Sequence, residues 1–480
     1  DKSDSSISSN KESSSTSIIS SSPSSSNPST SSKPSDSSSS VHVHEFEKEY
    51  SYDETYHYHK AICHPDIVKD KEEHSFVDDV CIICKYNKNE SLFTYQFDNN
   101  SYKLIGYNGN SDTISIPAFY DDKTNGKFPV TTISKNAFKN NTNIKKVILS
   151  DNITAIESSA FNNCKFLYSI TLNKNLTNIQ NNAFYNCYHL VEIINNSSLN
   201  LTIGSNDNGN ISRYALDIYT DNNYQSKITI EDDFILRTYN DDIKAIAYLK
   251  NDTNLRLLDK ITSINDYAFY SESTINSVSL NSNLKTIGSY AFYESNIISI
   301  SFPDSLVEIK DFAFTYSKIE SLIIPSHINK LGISSFSNCR QLTILTFTNG
   351  NLSIIPDSCF ENCTSLSNIV ISDTISEISN HAFSSCKNIT SLTLGRKIRK
   401  ISSTSFGNLS SLRNLIYNIE TIDNLTIFSS SNLLETITIG EYVTYIPSDM
   451  FSNLSSLDTV YFKATNCKSA SMIFRNSNLQ

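Results

Sequence analysis

One phenylalanine recurs every 22 to 24 residues along most of this chain, and no other feature limits the possible folds as strongly. It stands at Phe138, Phe161 and Phe184 and, after a gap of 85 residues, at Phe269, Phe292, Phe314, Phe336, Phe360, Phe383, Phe406, Phe428 and Phe451. Several follow an alanine, as in Ala160-Phe161 and Ala382-Phe383. An Ile or Leu keeps phase five residues earlier, as at Ile156, Ile264, Leu331 and Ile378. Each Phe is followed by a short run of the form L-x-x-I-x-L, such as Leu167/Ile170/Leu172 and Ile389/Leu392/Leu394. One such unit has too few apolar residues to close a core alone. Stacked copies bury them as continuous ladders. The short run then pairs with its copy in the next coil, about 4.8 Å away, as a parallel sheet. The β-branched residues suit that sheet.

Three segments carry the pattern most clearly: IESSAFNNCKFLYSITL (156–172), INDYAFYSESTINSVSL (264–280) and ISNHAFSSCKNITSLTL (378–394). They resemble the BspA-like class of leucine-rich repeats, and the resemblance covers about residues 92–462. It implies an α/β fold of the leucine-rich-repeat kind. This is a β-rich solenoid with one parallel sheet and little helix, preceded by a small His/Cys module and a disordered Ser-rich tether. It also implies a secreted or cell-surface protein that binds protein or glycan partners on a host or microbial surface, as an adhesin. A structural surface-layer component and a non-catalytic accessory of a surface enzyme are the alternatives.

Composition divides the chain further. Residues 1–40 hold 23 Ser and three Pro, too little apolar surface to offset ordering entropy. They read as a flexible tether. The chain starts at Asp1 without Met, which suggests a removed secretion signal. A lipid-anchored Cys upstream of residue 1 fits such a tether, and so does a cut at an arbitrary boundary. Residues 41–91 form a small module, residues 92–462 the repeats, and residues 463–480 a C-terminal cap or tail. The irregular stretch at about 195–255 interrupts the repeats. Within it, FILRTYNDDIKAIAYL (234–249) reads as a hairpin around Asn240-Asp241-Asp242, and residues 211–218 as a degenerate coil. It is either an excursion or a junction between two sub-arrays.

The net charge of −11 and the absence of Lys/Arg clusters argue against a nucleic-acid partner. No apolar run is long enough for a transmembrane helix. Motifs of common hydrolases, zinc proteases and phosphate-binding loops are missing, so no catalytic residues and no enzyme activity are expected.

Six of the nine His and three of the ten Cys fall in residues 41–91. Cys81-x-x-Cys84 puts two sulfurs on one side of a tight turn, where they can grip one Zn²⁺, with His74 and Cys63 completing four ligands. Such a zinc is structural, since four protein ligands leave no position for water. A disulfide from Cys63 to Cys81 or Cys84 is the alternative. Cys164, Cys187, Cys339, Cys363 and Cys386 all fall three residues after the repeating Phe, which fits one structural role in a buried ladder. Cys359 and Cys467 have no assigned role. The outward strand positions form a hydroxyl-rich face with aliphatic spots. Thr171, Ser279, Ser301, Thr346, Thr393 and Thr438 on it are the expected partner contacts, and general acid–base groups are nearly absent.

Overall fold

The repeat closes because each 23-residue unit makes two short extended runs and one tight turn, and each of these bonds to its copy in the next unit. A computed structural model describes residues 43–52, 55–77, 80–88, 90–220, 226–422, 427–428, 433–469 and 471–479. The tether expected over residues 1–40 lies outside them. The chain divides into two compact units, residues 1–72 and 73–480. In the first, strands Ser51–Tyr52, Tyr56–Lys60 and Val68–Glu73 make a small sheet in which His57 is buried. The second contains the solenoid.

In a typical coil, Ile156, Ala160, Phe161, Cys164, Leu167, Ile170 and Leu172 are all fully buried, at the positions the repeat assigns to the interior. The marker rings stack along the axis with centroids 4.7–5.6 Å apart and planes within 12°. The coils bond to one another on three sides. Long strands such as Ser391–Leu394 pair in parallel with the next. Two-residue strands such as Glu377–Ile378 do the same. On the turn side, the marker's N–H donates to the carbonyl before the next marker, as in Phe383 to Ser405 at 2.8 Å. That turn holds left-handed residues, among them Asn140, Asn163, Asn186, Asn338, Asn362, Asn408 and Asn453, two after each marker (φ 58 to 62°). Asn tolerates this conformation better than most residues, which accounts for its recurrence at this position.

Helix is almost absent among the described residues. The four-residue Asp207–Asn210 segment is broken by left-handed Asn208 and Gly209. Gly209 closes the degenerate coil expected at residues 211–218. Its carbonyl accepts from Phe184 N–H at 2.8 Å, as Ala183's does from Phe161. A Cβ on Gly209 would lie 2.4 Å from the Gln180 oxygen. Strand Asp217–Tyr219 then pairs in parallel with Glu192–Asn195 and ends the first ladder.

The expected single parallel sheet is in fact divided. Long strands form one five-stranded and one ten-stranded ladder. Between them the chain makes the hairpin of Phe234–Tyr239 and Asp242–Tyr248, so no strand continues the first ladder. The first sub-array opens on a matching hairpin, Phe93–Phe97 and Tyr102–Tyr107. Phe93 faces Tyr107 and Phe97 faces Tyr102; Phe234 faces Tyr248 and Thr238 faces Ile243, each residue 141 positions after its counterpart. Both hairpins carry a bulge at the same step, and the second strand of each starts a parallel ladder. The interruption is therefore a junction at which a second sub-array opens. Two large hydrophobic cores follow, joined by a small cluster of Val191, Ile235, Ile246 and Ala247. After Phe451 the ladder extends to Phe474, whose ring stacks at 5.6 Å, and strand Lys468–Ser469 pairs with Tyr445–Ile446.

Candidate partner-binding face and metal-ligand cluster

Alternation along a strand sends every second side chain outward. The central outward column of the ten-stranded ladder runs from Arg256 beside Ser279, through Ser301, to Ile323, Thr346, Val370, Thr393, Ile416, Thr438 and Tyr461. Five of the six expected contact residues share this column. Ser279, Ser301 and Thr346 are exposed, and Thr393 and Thr438 half-buried. Thr171 does not join them. It sits in the five-stranded ladder, between Ile148 and Ile194.

That shorter ladder is partly covered. Ser169 and Glu192, outward by alternation, are buried. Glu192 accepts hydrogen bonds from Ser169 and from Ser226 at 2.9 Å each. The segment leading into the second hairpin lies over them, a contact that strand periodicity cannot reveal.

Hydroxyl and aliphatic side chains alternate on the longer face. Ile323 and Val370 flank Thr346 in register, and Ile344 lies two residues before it on the same face. All three aliphatic residues are 58–60% exposed. The column carries no carboxylate and no histidine. It can bury apolar area and offer hydroxyl hydrogen bonds, and Tyr461 at its end is its one titratable acid.

The His/Cys residues separate into two groups. In the larger unit, Phe76–Val77 and Val80–Cys81 form a tight antiparallel pair that brings His74, Cys81 and Cys84 together, with ligand atoms within 4.8 Å of one another. His74 Nδ1 is 3.4 Å from Cys84 Sγ. Ligands about 2.0–2.3 Å from a tetrahedral Zn²⁺ lie about 3.4–3.8 Å apart, so the His74–Cys84 spacing suits that ion, for which His74, Cys81 and Cys84 supply three donors. Burial raises the Cys81 thiol's pKa, but hydrogen bonds from the Cys84 backbone and the His74 side chain outweigh it and bring it down to about 6. Cys84 is pushed up to about 11 by burial and by the neighbouring Cys81. Lys85, which stands where a glycine would ease the turn, adopts φ 62°.

Cys63, the fourth ligand expected from sequence, falls in the smaller unit. There its Sγ lies 3.2 Å from His44 Nδ1, and His64 joins the same cluster. Among the described residues no two cysteines are joined by a disulfide.

The ladder cysteines have a shared bond. Cys164, Cys187, Cys339, Cys363 and Cys386 each donate to the carbonyl of the marker Phe one coil back, at 3.0–3.3 Å. Ser477 makes the same bond to Phe451. Cys359, unassigned from sequence, occupies the alanine slot before Phe360 and is buried. Burial pushes the thiols of Cys339, Cys359 and Cys386 up to about 12, which makes them poor nucleophiles. Among the described residues no helix is long and apolar enough to cross a membrane.

Family comparison agrees with this geometry. Residues 89–207, 243–366 and 353–480 match the model of the BspA type leucine-rich repeat region, in six copies, and leave the junction hairpin's first strand outside. A leucine-rich repeat protein from Bacteroides ovatus is similar at 18% identity, covering 77% of this chain and 98% of its own, with a TM-score of 0.40. A leucine-rich cell surface protein from Faecalibacterium prausnitzii is 20% identical over 78% of this chain and 94% of its own, with a TM-score of 0.29. The pneumococcal vaccine antigen PcpA is 17% identical over 74% of this chain and 92% of its own, with a TM-score of 0.30. No curated protein is significantly similar in sequence. With three quarters of its length matched in phase, the chain belongs to the BspA-type leucine-rich-repeat family.

Proposed function

We propose that this chain is a secreted or surface-held recognition protein that binds a protein partner through the outward face of its ten-stranded ladder, and that it acts in adhesion without turnover. The observation that carries this is the exposed aliphatic cluster of Ile323, Ile344 and Val370 around Thr346, in a column without carboxylate or histidine. Solvent-facing apolar side chains ringed by hydroxyls supply desolvation energy and orientation together.

Solid-phase binding of the full chain to matrix proteins, mucins and microbial cells tests it. Saturable binding is expected, and Ile323→Lys with Val370→Lys should weaken it by about tenfold or more at unchanged melting temperature. Binding to none of them, with self-association of the purified chain, would favour a structural surface layer instead.

The cluster of His74, Cys81 and Cys84 is proposed to supply three ligands of a Zn²⁺, which would tie down the tight turn before the first repeat. Purified protein should carry zinc, and a chelator should lower its melting temperature. In His74→Ala both the metal content and the chelator effect should fall. Absence of metal in protein prepared with added zinc would count against it.

A further inference from the structure

On the turn side of the solenoid, where the two sub-arrays meet, lies a cleft of about 610 Å³ that neither the sheet face nor the His/Cys cluster uses. Its lining is mostly tyrosine and asparagine, with Arg213 as the one charged residue. A second cleft of about 330 Å³ adjoins it and shares Tyr188, Arg213, Tyr214 and Tyr267.

The fold itself does not call for these tyrosines. Two residues before the marker, the backbone is left-handed in coil after coil, and small or polar residues fill the site: Asn136, Ser159, Asn182, Ser334, Ser358 and His381. In the three coils after the junction the same site holds Tyr267 (φ 62°), Tyr290 (φ 57°) and Phe312 (φ 57°). A bulky aromatic in this conformation is unusual, and such strain gathers at binding and active sites. The neighbouring coils close the same turn without it.

The aromatic rings form a continuous stack. Tyr188 lies on Tyr267 at 4.7 Å, Tyr267 on Tyr290 at 4.8 Å, and Tyr290 on Phe312 at 4.7 Å, with planes within 10°. A parallel pair, Tyr270 on Tyr293, runs beside it at 5.1 Å. The Arg213 side chain donates to Tyr214 and Asn206, which fixes the floor between the sub-arrays. Burial raises the Tyr188, Tyr267 and Tyr290 phenols, so they stay protonated and both donate and accept.

This composition suits a particular ligand. Rigid amphipathic tyrosines with adaptable amides form the contact chemistry of antibody paratopes. Here, however, they line a concavity within the roughly 300–1,000 Å³ range of small-ligand sites, unlike a flat protein epitope. No carboxylate, histidine or cysteine lines the larger cleft, so its lining does not suit a metal. Many neutral donors and acceptors beside ring edges match a molecule that alternates hydroxyls with C–H faces.

We propose that the tyrosine cleft at the sub-array junction binds a short hexose-based oligosaccharide, with phenols and Asn amides bonding its hydroxyls and the tyrosine rings packing on its C–H faces. This site is independent of the sheet face and stands or falls separately.

The test is a glycan array followed by titration calorimetry on the full chain, with neutral and acidic oligosaccharides. The probe variant is Tyr267→Asn with Tyr290→Asn, which installs the residue other coils already use in this conformation. The variant should fold with an unchanged or higher melting temperature, while saccharide binding weakens by about tenfold or more. The sheet variant Ile323→Lys/Val370→Lys should retain saccharide binding. Failure of every glycan to bind would overturn the proposal, as would equal binding by the Tyr267→Asn/Tyr290→Asn variant. Loss of a protein partner in that variant, with no glycan bound, would reassign the cleft to protein recognition.

Discussion

At the residue scale, the ladder cysteines act as buried hydrogen-bond donors. Each thiol is an added donor to a marker carbonyl, and those of Phe138 and Phe360 also accept the N–H three residues on, at 3.1 and 3.4 Å. An intramolecular hydrogen bond contributes about 0.5–1.5 kcal/mol net. Cys386→Ser keeps a small donor, as Ser477 shows at the equivalent site, and should change stability little. Cys386→Val fills the space but removes one of the two donors to the Phe360 carbonyl, and should lower unfolding free energy by about 0.5–1.5 kcal/mol in urea titration. Equal effects of the two changes would show that the site needs only volume. The phase of the five cysteines was legible in the sequence, because one position within a period means one environment. Their partner was not, because the carbonyl belongs to a residue about 26 positions away and faces inward only once the coils stack.

At the element scale, the junction hairpin joins the sub-arrays by a few polar contacts around a small apolar cluster. Arg237 on the hairpin donates to Asp217, on the last strand of the first ladder, at 2.5 and 2.9 Å. Lys165 pairs with Glu272 at 2.5 Å across the same boundary. His189 is buried with Nδ1 2.5 Å from the Lys165 carbonyl and Nε2 3.3 Å from that of Tyr267. Burial lowers the His189 pKa to about 4, although hydrogen bonds to the Lys165 and Tyr267 carbonyls oppose it. Its folded value lies below the unfolded value of about 6.5, so acid favours the open junction progressively as pH falls from about 6.5 to about 4. Burial would raise Asp217, but the hydrogen bonds and charge of Arg237, with those of Tyr219 and Lys227, hold it below the usual carboxylate value. Its contribution is therefore complete above about pH 3.9 and lost as pH falls through the folded value. Asp217→Asn should cost about 3 kcal/mol near neutral pH. This is the low end for a broken buried pair, because both side chains keep about a tenth of their surface exposed. In urea midpoints measured against pH, the variant should lose the step below pH 4 and keep the His189 step above it.

At the scale of the whole molecule, two solenoids stand in tandem, each with its own opening hairpin and its own core. In repeat proteins a terminal unit must shield the end of the ladder. The second hairpin does this inside the chain. Residues 226–480 should therefore fold alone and melt cooperatively by circular dichroism. Residues 254–480, which lack the hairpin, should melt at a lower temperature or aggregate. Equal melting of the two fragments would show that the hairpin is a spacer rather than a cap.

The sequence alone determined the solenoid. A period of 23 with Phe, Ile and Leu in fixed phase has one economical burial, and each position's fate depends on neighbours within a single unit. It also determined the hydroxyl-rich outward face, through strand alternation. What the tertiary structure decided lies between units. It split the expected sheet at a second hairpin, covered Ser169 and Glu192, and stacked Tyr188 on Tyr267 although 79 positions separate them. Periodicity reports which side chains face inward, since that is fixed locally by the backbone. Which distant side chains meet at an end, a junction or a turn edge depends on where the ladders stop, and the stops here are set by pairing between segments that share no period.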